Sequence, residues 1–381
     1  MYDLVIVGAG IAGLRVGIET IKKGMNCCIL ERYSVGGRIS TFKKRFAIGD
    51  VQWEVGAGRI STSHKKVLAL FKKYGLTFVP HSSDSYYDGV KNDFNELISV
   101  YLEPLLKLDP SVLATHTLKQ LLDRIHGPNS FISKFPYYSE IHVLRADLAL
   151  HAFQHEMGQG KFGTCKEGLQ ALTDAMRDEF VSLGGSIFTG VTVTGITNKI
   201  HKNTVFCKTD NVYNEFDAKK IVLAVPSTAL KSIKGIRAPV LKYLKMKPLL
   251  RIYAVFSKPI KVPRIVTSSP IRYIIPVSSH AAMISYTDGD DARYWRKKDQ
   301  DAVMKELRKI LDLPDPIFFK KEYWVDGCTY WLPGVYNVEE ESVKSLKIGE
   351  NVFLCGESYA VHQCWIESAL EQADKLLKII L

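Results

Sequence analysis

The sequence lacks any apolar run long enough for a membrane-spanning helix, which takes ~20 consecutive apolar residues. Hydrophobic residues make up 46% of the 381 positions and charged residues 24%, an ordinary balance for a folded protein. The N-terminal stretch "MYDLVIVGAG" has neither a basic start nor a small-residue cleavage site, so we do not expect it to be a signal peptide. These absences predict a globular chain of one large domain or two interleaved domains.

The cysteines and the charges also lack a pattern. The seven cysteines are scattered, with no CxxC spacing and no accompanying histidine pattern, which argues against a zinc site and favours a reducing, cytoplasmic setting. The net charge of +11 comes from lysine doublets spread along the chain rather than from one basic block. We therefore expect a solvated basic surface and no nucleic-acid partner.

The sequence does contain a glycine motif between a predicted strand and a predicted helix. The apolar run "DLVIV" leads into "GAGIAG", which places Gly8, Gly10 and Gly13 in a GxGxxG pattern. Such glycines let the backbone turn tightly and approach a pyrophosphate at the helix N-terminus. Glu31 ends the next apolar run, "CCIL", where a carboxylate accepts hydrogen bonds from a ribose diol. Together they predict a dinucleotide site, and the acid disfavours NADP, which leaves NAD and FAD.

A second glycine pair favours FAD over NAD. In "ERYSVGGRIS", Gly36 and Gly37 offer bare backbone, and Arg38 offers a guanidinium suited to bidentate phosphate contact. With this "GGR" after the acid, the sequence resembles the FAD-dependent amine oxidase superfamily, which includes monoamine, polyamine and L-amino-acid oxidases. The resemblance extends over most of the chain and implies a bound FAD.

Four later segments resemble further cofactor-binding segments of that family. They are "WEVGAGRIS" beside the flavin, "TGVTVTGI" at the adenine, "FLCGES" as the C-terminal flavin motif, and "CWIESALEQA", whose positive helix N-terminus would stabilise reduced flavin. The cofactor-binding residues that the motifs and the resemblance imply are Gly8, Gly10, Ile11, Ala12, Gly13, Glu31, Arg32, Gly36, Gly37, Arg38, Gly56, Ala57, Gly58, Arg59, Val191, Gly356, Glu357, Trp365 and Ile366.

The resemblance implies an α/β fold in which two domains are interleaved. One is a Rossmann-type FAD-binding domain of the glutathione reductase and amine oxidase type, expected over residues 1–80, 166–235 and 341–381. The other is an α+β substrate domain with a mixed sheet, expected over residues 81–165 and 236–340, of which 81–165 is a helical insertion. The strand-like segments after 236 and the βα alternation after 166 fit this division.

The resemblance also implies an aromatic substrate site. Trp365 stands where the family has an aromatic wall, and Tyr336 in "GVY" is expected to supply the second aromatic. Tyr330 and Trp331 are close enough in sequence to leave this register open. In the register of Tyr336, the attachment position of covalently bound flavins holds Val335, so the FAD is expected to be noncovalent.

Two arginines bear on the substrate and on the reaction. Arg251 stands where the family has a lysine bonded through water to the flavin, and it either acts as a fixed cation, alters the reaction with oxygen, or is a plain surface residue. Arg59 lies in a segment that resembles the L-amino-acid oxidase branch, in which an arginine forks onto the substrate carboxylate. A contact to the flavin region or to a structural acid is the alternative for Arg59.

The expected reaction is the oxidative deamination of an amine or amino acid by hydride transfer to flavin, giving imine and hydrogen peroxide. The expected partners are a small-molecule amine or amino acid and molecular oxygen; no metal is expected, and a homodimer stays open. Arg251 keeps open another flavin reaction on the same fold, such as that of a desaturase, a protoporphyrinogen oxidase or an isomerase. A flavin-binding protein without turnover is a further alternative, whereas a nicotinamide dehydrogenase leaves "GGR" and "CGES" unexplained.

Overall fold

The computed structural model describes residues 1–81, 86–87, 90–91, 98–129, 139–157, 162–197, 199–200 and 202–381. The strands in these ranges are β1 (Tyr2–Val7), β2 (Cys27–Leu30), β3 (Thr41–Phe46), β4 (Gly49–Glu54), β5 (Ile60–Ser61), β6 (Phe78–Pro80), β7 (Tyr86–Tyr87), β8 (Val90–Lys91), β9 (Phe162–Cys165), β10 (Ser186–Phe188), β11 (Thr192–Ile196), β12 (Asn203–Thr209), β13 (Val212–Leu223), β14 (Leu244–Val255), β15 (Ile265–Val266), β16 (Tyr273–Ser278), β17 (Ala281–Asp288), β18 (Phe318–Trp331) and β19 (Val352–Leu354).

The α-helices are α1 (Ile11–Lys22), α2 (Lys65–Tyr74), α3 (Pro110–Thr115), α4 (Leu118–His126), α5 (Ser139–His142), α6 (Ala146–His151), α7 (Gln170–Ser182), α8 (Ser227–Leu230), α9 (Gly289–Arg296), α10 (Gln300–Leu307), α11 (Val338–Ser345) and α12 (Ile366–Ile380). Short π or 3-10 helices cover Ile98–Leu102, Glu103–Lys107, Ala152–Met157, Pro239–Tyr243 and Glu357–Tyr359. Within the described ranges, none of the helices is both long and apolar enough to cross a membrane.

The first sheet carries the glycine motif at the end of β1. Its parallel strands follow the order β10-β2-β1-β13-β19. The second half of β13 pairs with β1, and its first half forms an antiparallel meander with β12 and β11. The apolar runs of β1 and β2 are buried, as expected for a parallel sheet covered by helices, and α1 packs against α7 and α12.

The second sheet is mixed, as the sequence predicts, with the order β18-β14-β17-β16-β15-β7-β8. Its pairs are antiparallel except β15 with β7, which is parallel. Because strand side chains alternate between faces, Leu250 and Ile252 pack with Ala292 and Trp295 on the side of α9, while Arg251 turns toward a cavity on the other side.

The described residues between 98 and 157 are mainly helical. Helix α4 begins with a capping box in which Thr117 and Gln120 satisfy each other's backbone N–H groups. Its buried face, including Leu121 and Leu122, joins the same core as Phe153 and Trp331. The predicted insertion, 81–165, is not helical throughout, because it also contains the strands β7, β8 and β9, of which β7 and β9 pair with strands outside it. Its residues 82–85, 88–89, 92–97, 130–138 and 158–161 lie outside the described residues. Helix α5 and the residues after it bring Glu140 and other side chains to the wall of the cavity.

Candidate active site

A cavity of about 770 Å³ is lined by residues from both sheets and from the helical segment. We call one set of lining residues the cofactor half: Gly8, Gly10, Glu31, Gly36, Gly37, Arg38, Val191, Gly356 and Glu357. We call a second set the substrate half: Arg59, Glu140, Arg251, Tyr286, Tyr330 and Trp365. The predicted residues Ile11, Ala12, Arg32, Gly56, Ala57, Gly58 and Ile366 also line this cavity.

The three glycines of the GxGxxG motif do different things. Gly8 has φ of 104°, and a Cβ there would lie 2.5 Å from the carbonyl oxygen of Ala224. A Cβ on Gly13 would lie 2.0 Å from the Gly8 oxygen, so this glycine lets α1 pack against the turn. At Gly10 a Cβ would meet nothing nearer than the Gly37 Cα at 4.0 Å. The open space at Gly10 and the free N–H groups of the first turn of α1 suit a pyrophosphate.

Two backbone hydrogen bonds fix the Glu31 carboxylate, which can still accept further hydrogen bonds. Only 8% of the residue is exposed, and its two carboxylate oxygens accept from the backbone N–H groups of Ala9 at 2.7 Å and Tyr33 at 2.8 Å. Each oxygen keeps acceptor capacity for a ribose hydroxyl. The Val191 N–H donates to the Glu31 carbonyl oxygen at 2.9 Å, which places Val191 beside Glu31.

Arg38 and Glu357, implied by separate motifs, form an ion pair of 2.7 Å between Nη1 and Oε2. The same Nη1 also donates to the Gly327 carbonyl oxygen at 3.0 Å. The Nη1 of Arg38 is therefore used within the protein, so Arg38 would bind a phosphate with its other N–H groups. A Cβ on Gly56 would lie 1.9 Å from the Arg38 carbonyl oxygen, which explains why bare backbone is needed there.

Two side chains in the cavity wall have a buried polar atom without a hydrogen-bond partner among the described residues. Gln363 donates to the Ser358 carbonyl oxygen at 3.0 Å, but its Oε1 has no hydrogen-bond partner among the described residues. The Nε atom of Arg251 is likewise buried, and no acceptor for it is found in the described part of the chain. Since unpaired buried polar atoms are costly, both favour a ligand that completes them. With the open cradle at Gly10, the residues present fit FAD.

Trp365 and Arg59 meet in the substrate half. Trp365 directly precedes α12, and its ring lies 4.9 Å from that of His64 and 6.1 Å from that of Phe162. The Arg59 guanidinium lies over both aromatic rings, 5.7 Å from Trp365 and 5.4 Å from Phe162. Within the described ranges, no carboxylate lies at ion-pair distance from Arg59. No ion pair therefore prevents Arg59 from binding an anionic ligand group. Its charge also opposes the rise in the pKa of Glu140, so a structural acid stays open as the alternative partner.

His64 is kept neutral next to this pair. Burial, and then the positive charge of Arg59, lower the pKa of His64 to about 4. Its Nδ1 accepts a hydrogen bond from the Ser61 N–H at 3.2 Å. The imidazole therefore adds no positive charge to the substrate half at neutral pH.

Arg251 is not a plain surface residue, and that alternative is wrong. Only 8% of it is exposed, and its Nη1 donates to the Glu54 carbonyl oxygen at 3.0 Å. The guanidinium lies 5.1 Å from the ring centre of Tyr286, and a Cβ on Gly58 would come within 2.8 Å of Nη1. Arg251 is thus a fixed, buried cation in the cavity wall.

The expectation for Tyr336 is wrong, because the structure does not bring it to the cavity wall. Its ring stacks on Tyr243 at 4.0 Å and lies 4.8 Å from the Arg145 guanidinium. Val335 is 94% exposed, so it cannot mark a flavin attachment position. The physical reason is that β18 continues to Trp331, and the chain leaves the sheet before reaching Tyr336.

Of the aromatic residues that the register left open, Tyr330 lines the cavity. Its neighbour Trp331 is fully buried and donates through Nε1 to the Ala360 carbonyl oxygen at 2.9 Å. Strand alternation places these neighbours on opposite faces, so only one of them can face the ligand.

Sequence reasoning missed Glu140 and Tyr286, because no motif surrounds either residue. The Tyr330 hydroxyl donates to the Glu140 Oε1 at 3.4 Å. Burial, and then the neighbouring charge of Asp288, raise the pKa of Glu140 to about 7. Asp288 is itself paired with Arg272 at 2.6 Å. The substrate half therefore holds a carboxyl group that can take a proton or a cationic ligand near neutral pH.

The fold and the cradle define a protein of the Rossmann-type dinucleotide-binding class. The family model "Flavin containing amine oxidoreductase" matches residues 117–375, and the model "NAD(P)-binding Rossmann-like domain" matches residues 6–74. The chain belongs to the flavin-containing amine oxidoreductase family. The predicted family and α/β fold class are confirmed.

Curated relatives match over short segments. A flavin-containing amine oxidase of Danio rerio is 30% identical over 93 residues, which cover 24% of this chain and 17% of that protein. A protein of Drosophila melanogaster described as a possible lysine-specific histone demethylase 1 is 40% identical over 78 residues, or 20% of this chain and 8% of that protein. The matched parts thus span less than a fifth of either relative.

Solved structures match over the whole chain. Putrescine oxidase, in its wild-type form bound to putrescine, has a TM-score of 0.78 at 15% identity and covers 100% of this chain and 98% of its own. A triple mutant of that enzyme has a TM-score of 0.78 at 16% identity, with the same coverage. At these identities the likeness establishes the fold alone.

Proposed function

We propose that the chain is an FAD-dependent oxidase that deaminates a small amine or amino acid, with hydride transfer to the flavin and release of imine and hydrogen peroxide. Molecular oxygen is the proposed acceptor. One observation carries the proposal: a single cavity joins a glycine cradle for a dinucleotide to an aromatic slot with Trp365 and Tyr330. Membership of the amine oxidoreductase family supports it, and so does a relative of the same fold whose structure holds a small amine.

The proposed cofactor is FAD held without a covalent bond. When bound, the flavin supplies the two-electron acceptor for the reaction. The N–H groups at the start of α1 would bind the diphosphate, Glu31 the ribose and Val191 the adenine. The Gln363 Oε1 and the Arg251 Nε, which have no partner among the described residues, would form hydrogen bonds with polar atoms of the flavin ring. The sequence argument from Val335 no longer applies, because Val335 is exposed. The proposal of noncovalent binding therefore depends on the contacts named above. We also propose the division into residues 1–80, 166–235 and 341–381 for FAD and 81–165 and 236–340 for substrate.

The protein's own part in the reaction is to orient the amine and to exclude water. Trp365 and Tyr330 offer aromatic faces that favour a cationic or partly positive nitrogen. The neutral His64 avoids a further repulsive charge beside Trp365. Arg251 cannot release a proton, so in this proposal it acts as a fixed cation rather than as a base.

The charges of the substrate half favour a substrate that carries both an amine and a carboxylate. Arg59 has no protein carboxylate partner within the described ranges and can bind a substrate carboxylate in bidentate fashion. Glu140 lies in the same wall and can accept from an ammonium group. An amino acid uses both groups, whereas a plain amine leaves Arg59 unpaired. We therefore propose an amino acid as the preferred substrate class.

The test compares each L-amino acid with its decarboxylated amine, with peroxide release as the readout. For Arg59→Ala we expect kcat/KM to fall by about 100-fold for amino acids, because two charge-assisted hydrogen bonds are lost, and to change little for the matched amines. Arg45→Ala, at an exposed arginine, should change neither and serves as the matched control.

Two outcomes would contradict the proposal at different levels. If Arg59→Ala spares the amino acids that are used, the assignment of Arg59 to the substrate carboxylate is wrong. If no amine or amino acid releases peroxide or bleaches the bound flavin anaerobically, the oxidase itself is wrong, and another flavin reaction on this fold takes its place.

A further inference from the structure

Two of the seven cysteines differ from the others in their exposure. Cys328 and Cys364 are half-buried, and both line the cofactor cavity. The remaining five are at most 2% exposed: Cys27, Cys28, Cys165, Cys207 and Cys355. A small oxidant that enters the cavity therefore meets the thiols of Cys328 and Cys364 before any other.

These two residues come from distant parts of the chain and meet at the wall of the cavity. Cys328 belongs to β18, and Cys364 lies in the turn before α12. The Cys364 Sγ donates to the carbonyl oxygen of Thr329, the residue after Cys328, at 3.6 Å. The two thiols also lie within hydrogen-bonding reach of each other. Cys364 has φ of 72°, a left-handed conformation that is uncommon for a residue with a side chain.

The surroundings hold this pair beside the ion pair of the cofactor half. The Cys364 N–H donates to the Glu357 Oε1 at 2.8 Å, and the Thr329 N–H donates to the same oxygen at 3.4 Å. Glu357 in turn pairs with Arg38. One carboxylate thus fixes the backbone on both sides of the thiol pair, which keeps the two sulfur atoms as neighbours.

The two thiols are not equivalent. The hydrogen bond with Cys328, and then burial, raise the pKa of Cys364 well above its usual range. Because the thiolate is the attacking form, Cys364 is a poor first nucleophile at neutral pH. Cys328 is then the thiol that an oxidant modifies first, and Cys364 is the thiol that closes the bond.

We propose that Cys328 and Cys364 form an intramolecular disulfide when a hydroperoxide reaches the cavity. The Cys328 sulfur attacks one peroxide oxygen: the S–O bond forms, the O–O bond breaks, and water leaves with the thiol proton. The Cys364 sulfur then attacks the Cys328 sulfur: the S–S bond forms, the S–O bond breaks, and a second water leaves. Two thiols and one hydrogen peroxide thus give one disulfide and two waters, and the sulfur atoms supply the two electrons that reduce the peroxide.

The proposal rests on the proposed function only for a local source of peroxide. The disulfide would link β18 of the second sheet to the turn that precedes α12. In an oxidase that releases peroxide into this cavity, turnover would thereby lead to a disulfide bond in the cavity wall.

The experiment adds hydrogen peroxide stepwise to the flavin-loaded protein at neutral pH, then unfolds it, counts thiols and maps peptides without reduction. We expect the count to fall from seven to five, with one linked peptide pair that contains Cys328 and Cys364. In Cys364→Ser, Cys328 should stop as a sulfenic acid that a dimedone probe labels. In Cys328→Ser, Cys364 should stay unmodified. Cys207→Ser, at a buried cysteine outside the cavity wall, is the control and should form the same linked pair.

Three results would overturn the proposal: seven thiols after excess peroxide, a linked pair between other cysteines, or sulfinic acid on Cys328 or Cys364 without a linked pair. If either serine variant fails to fold, the peptide map of the unaltered protein decides alone. If no amine yields peroxide, the proposed function fails, but the outcome with added peroxide still stands or falls by itself.

Discussion

In the cofactor half the walls that come from the first 38 residues are largely backbone, formed by glycines and helix N–H groups. In the substrate half they are side chains contributed by segments as far apart as Arg59, Glu140, Arg251 and Trp365. A backbone wall tolerates few residue types, because an added Cβ collides with a neighbouring chain. A wall made of side chains tolerates many residue types, because a substitution there changes the shape of the cavity without a collision of the backbone. The comparison suggests that the first half is fixed by the common cofactor and the second by the individual substrate.

The largest effect should come from placing a Cβ in the backbone wall. In Gly13→Ala the new Cβ would lie 2.0 Å from the Gly8 oxygen, so we expect a loss of about 3 kcal/mol in the free energy of unfolding and almost no bound flavin. In Gly10→Ala the new Cβ meets only the Gly37 Cα, at 4.0 Å, so this variant should lose flavin while it keeps its stability. Gly195→Ala, with only ordinary contacts, is the control. Denaturant unfolding and flavin absorbance per chain measure both quantities. Normal flavin content in Gly10→Ala would contradict the assignment of this space to the cofactor.

A smaller effect should separate the two candidate tyrosines. In Tyr330→Leu an aromatic face of the cavity is lost, and we expect kcat/KM to fall about tenfold at unchanged flavin content. In Tyr336→Leu the stack on Tyr243 is lost outside the cavity, so stability should fall by about 1 kcal/mol while kcat/KM stays within twofold. Steady-state kinetics on the best substrate decide between them. If Tyr336→Leu loses more activity than Tyr330→Leu, the assignment of Tyr330 to the substrate site is wrong.

The smallest effect concerns the charge of Glu140. Because its pKa is raised from about 4.5 to about 7 in the folded protein, the stability that its protonated form contributes is present below pH 4.5 and lost as the pH rises through 7. Glutamine mimics the protonated form. Glu140→Gln should therefore unfold with about 1 kcal/mol more free energy than the unaltered protein at pH 8, and with no difference at pH 4. Glu350→Gln, at an exposed acid, should show no such dependence. Equal unfolding free energies at pH 8 would show that Glu140 ionises as an ordinary surface acid does.

The sequence predicted the N-terminal elements of the cofactor half because each of them is local. Gly8, Gly10 and Gly13 fall within one turn, and Glu31 follows at the end of the next strand, so spacing along the chain reports spacing in space. The pairing of Arg38 with Glu357 was not foreseen, since it joins two motifs through side chains from opposite ends of the chain.

The substrate half was predicted less well for physical reasons. The position of Tyr336 depends on where β18 leaves the sheet, and a difference of a few residues in strand length moves an aromatic side chain from the cavity to another cluster. Glu140 lies in a helical segment without a motif, and its role appears only when α5 is packed beside Tyr330 and Asp288. Arg251 could be aligned by its strand, but its burial could not be read from the residues around it.

The pairing of β19 with β13 has a consequence for biosynthesis. On a ribosome, the end of β13 presents an open parallel edge until the segment around residue 352 emerges, and such edges invite aggregation or chaperone binding. Gly356 and Glu357 lie just after β19. A nascent chain can therefore bind a dinucleotide with both the N-terminal glycine turn and this segment only after the edge of β13 is paired. We therefore expect the flavin to bind only after residue 357 has emerged, and not to the N-terminal strand, turn and helix alone.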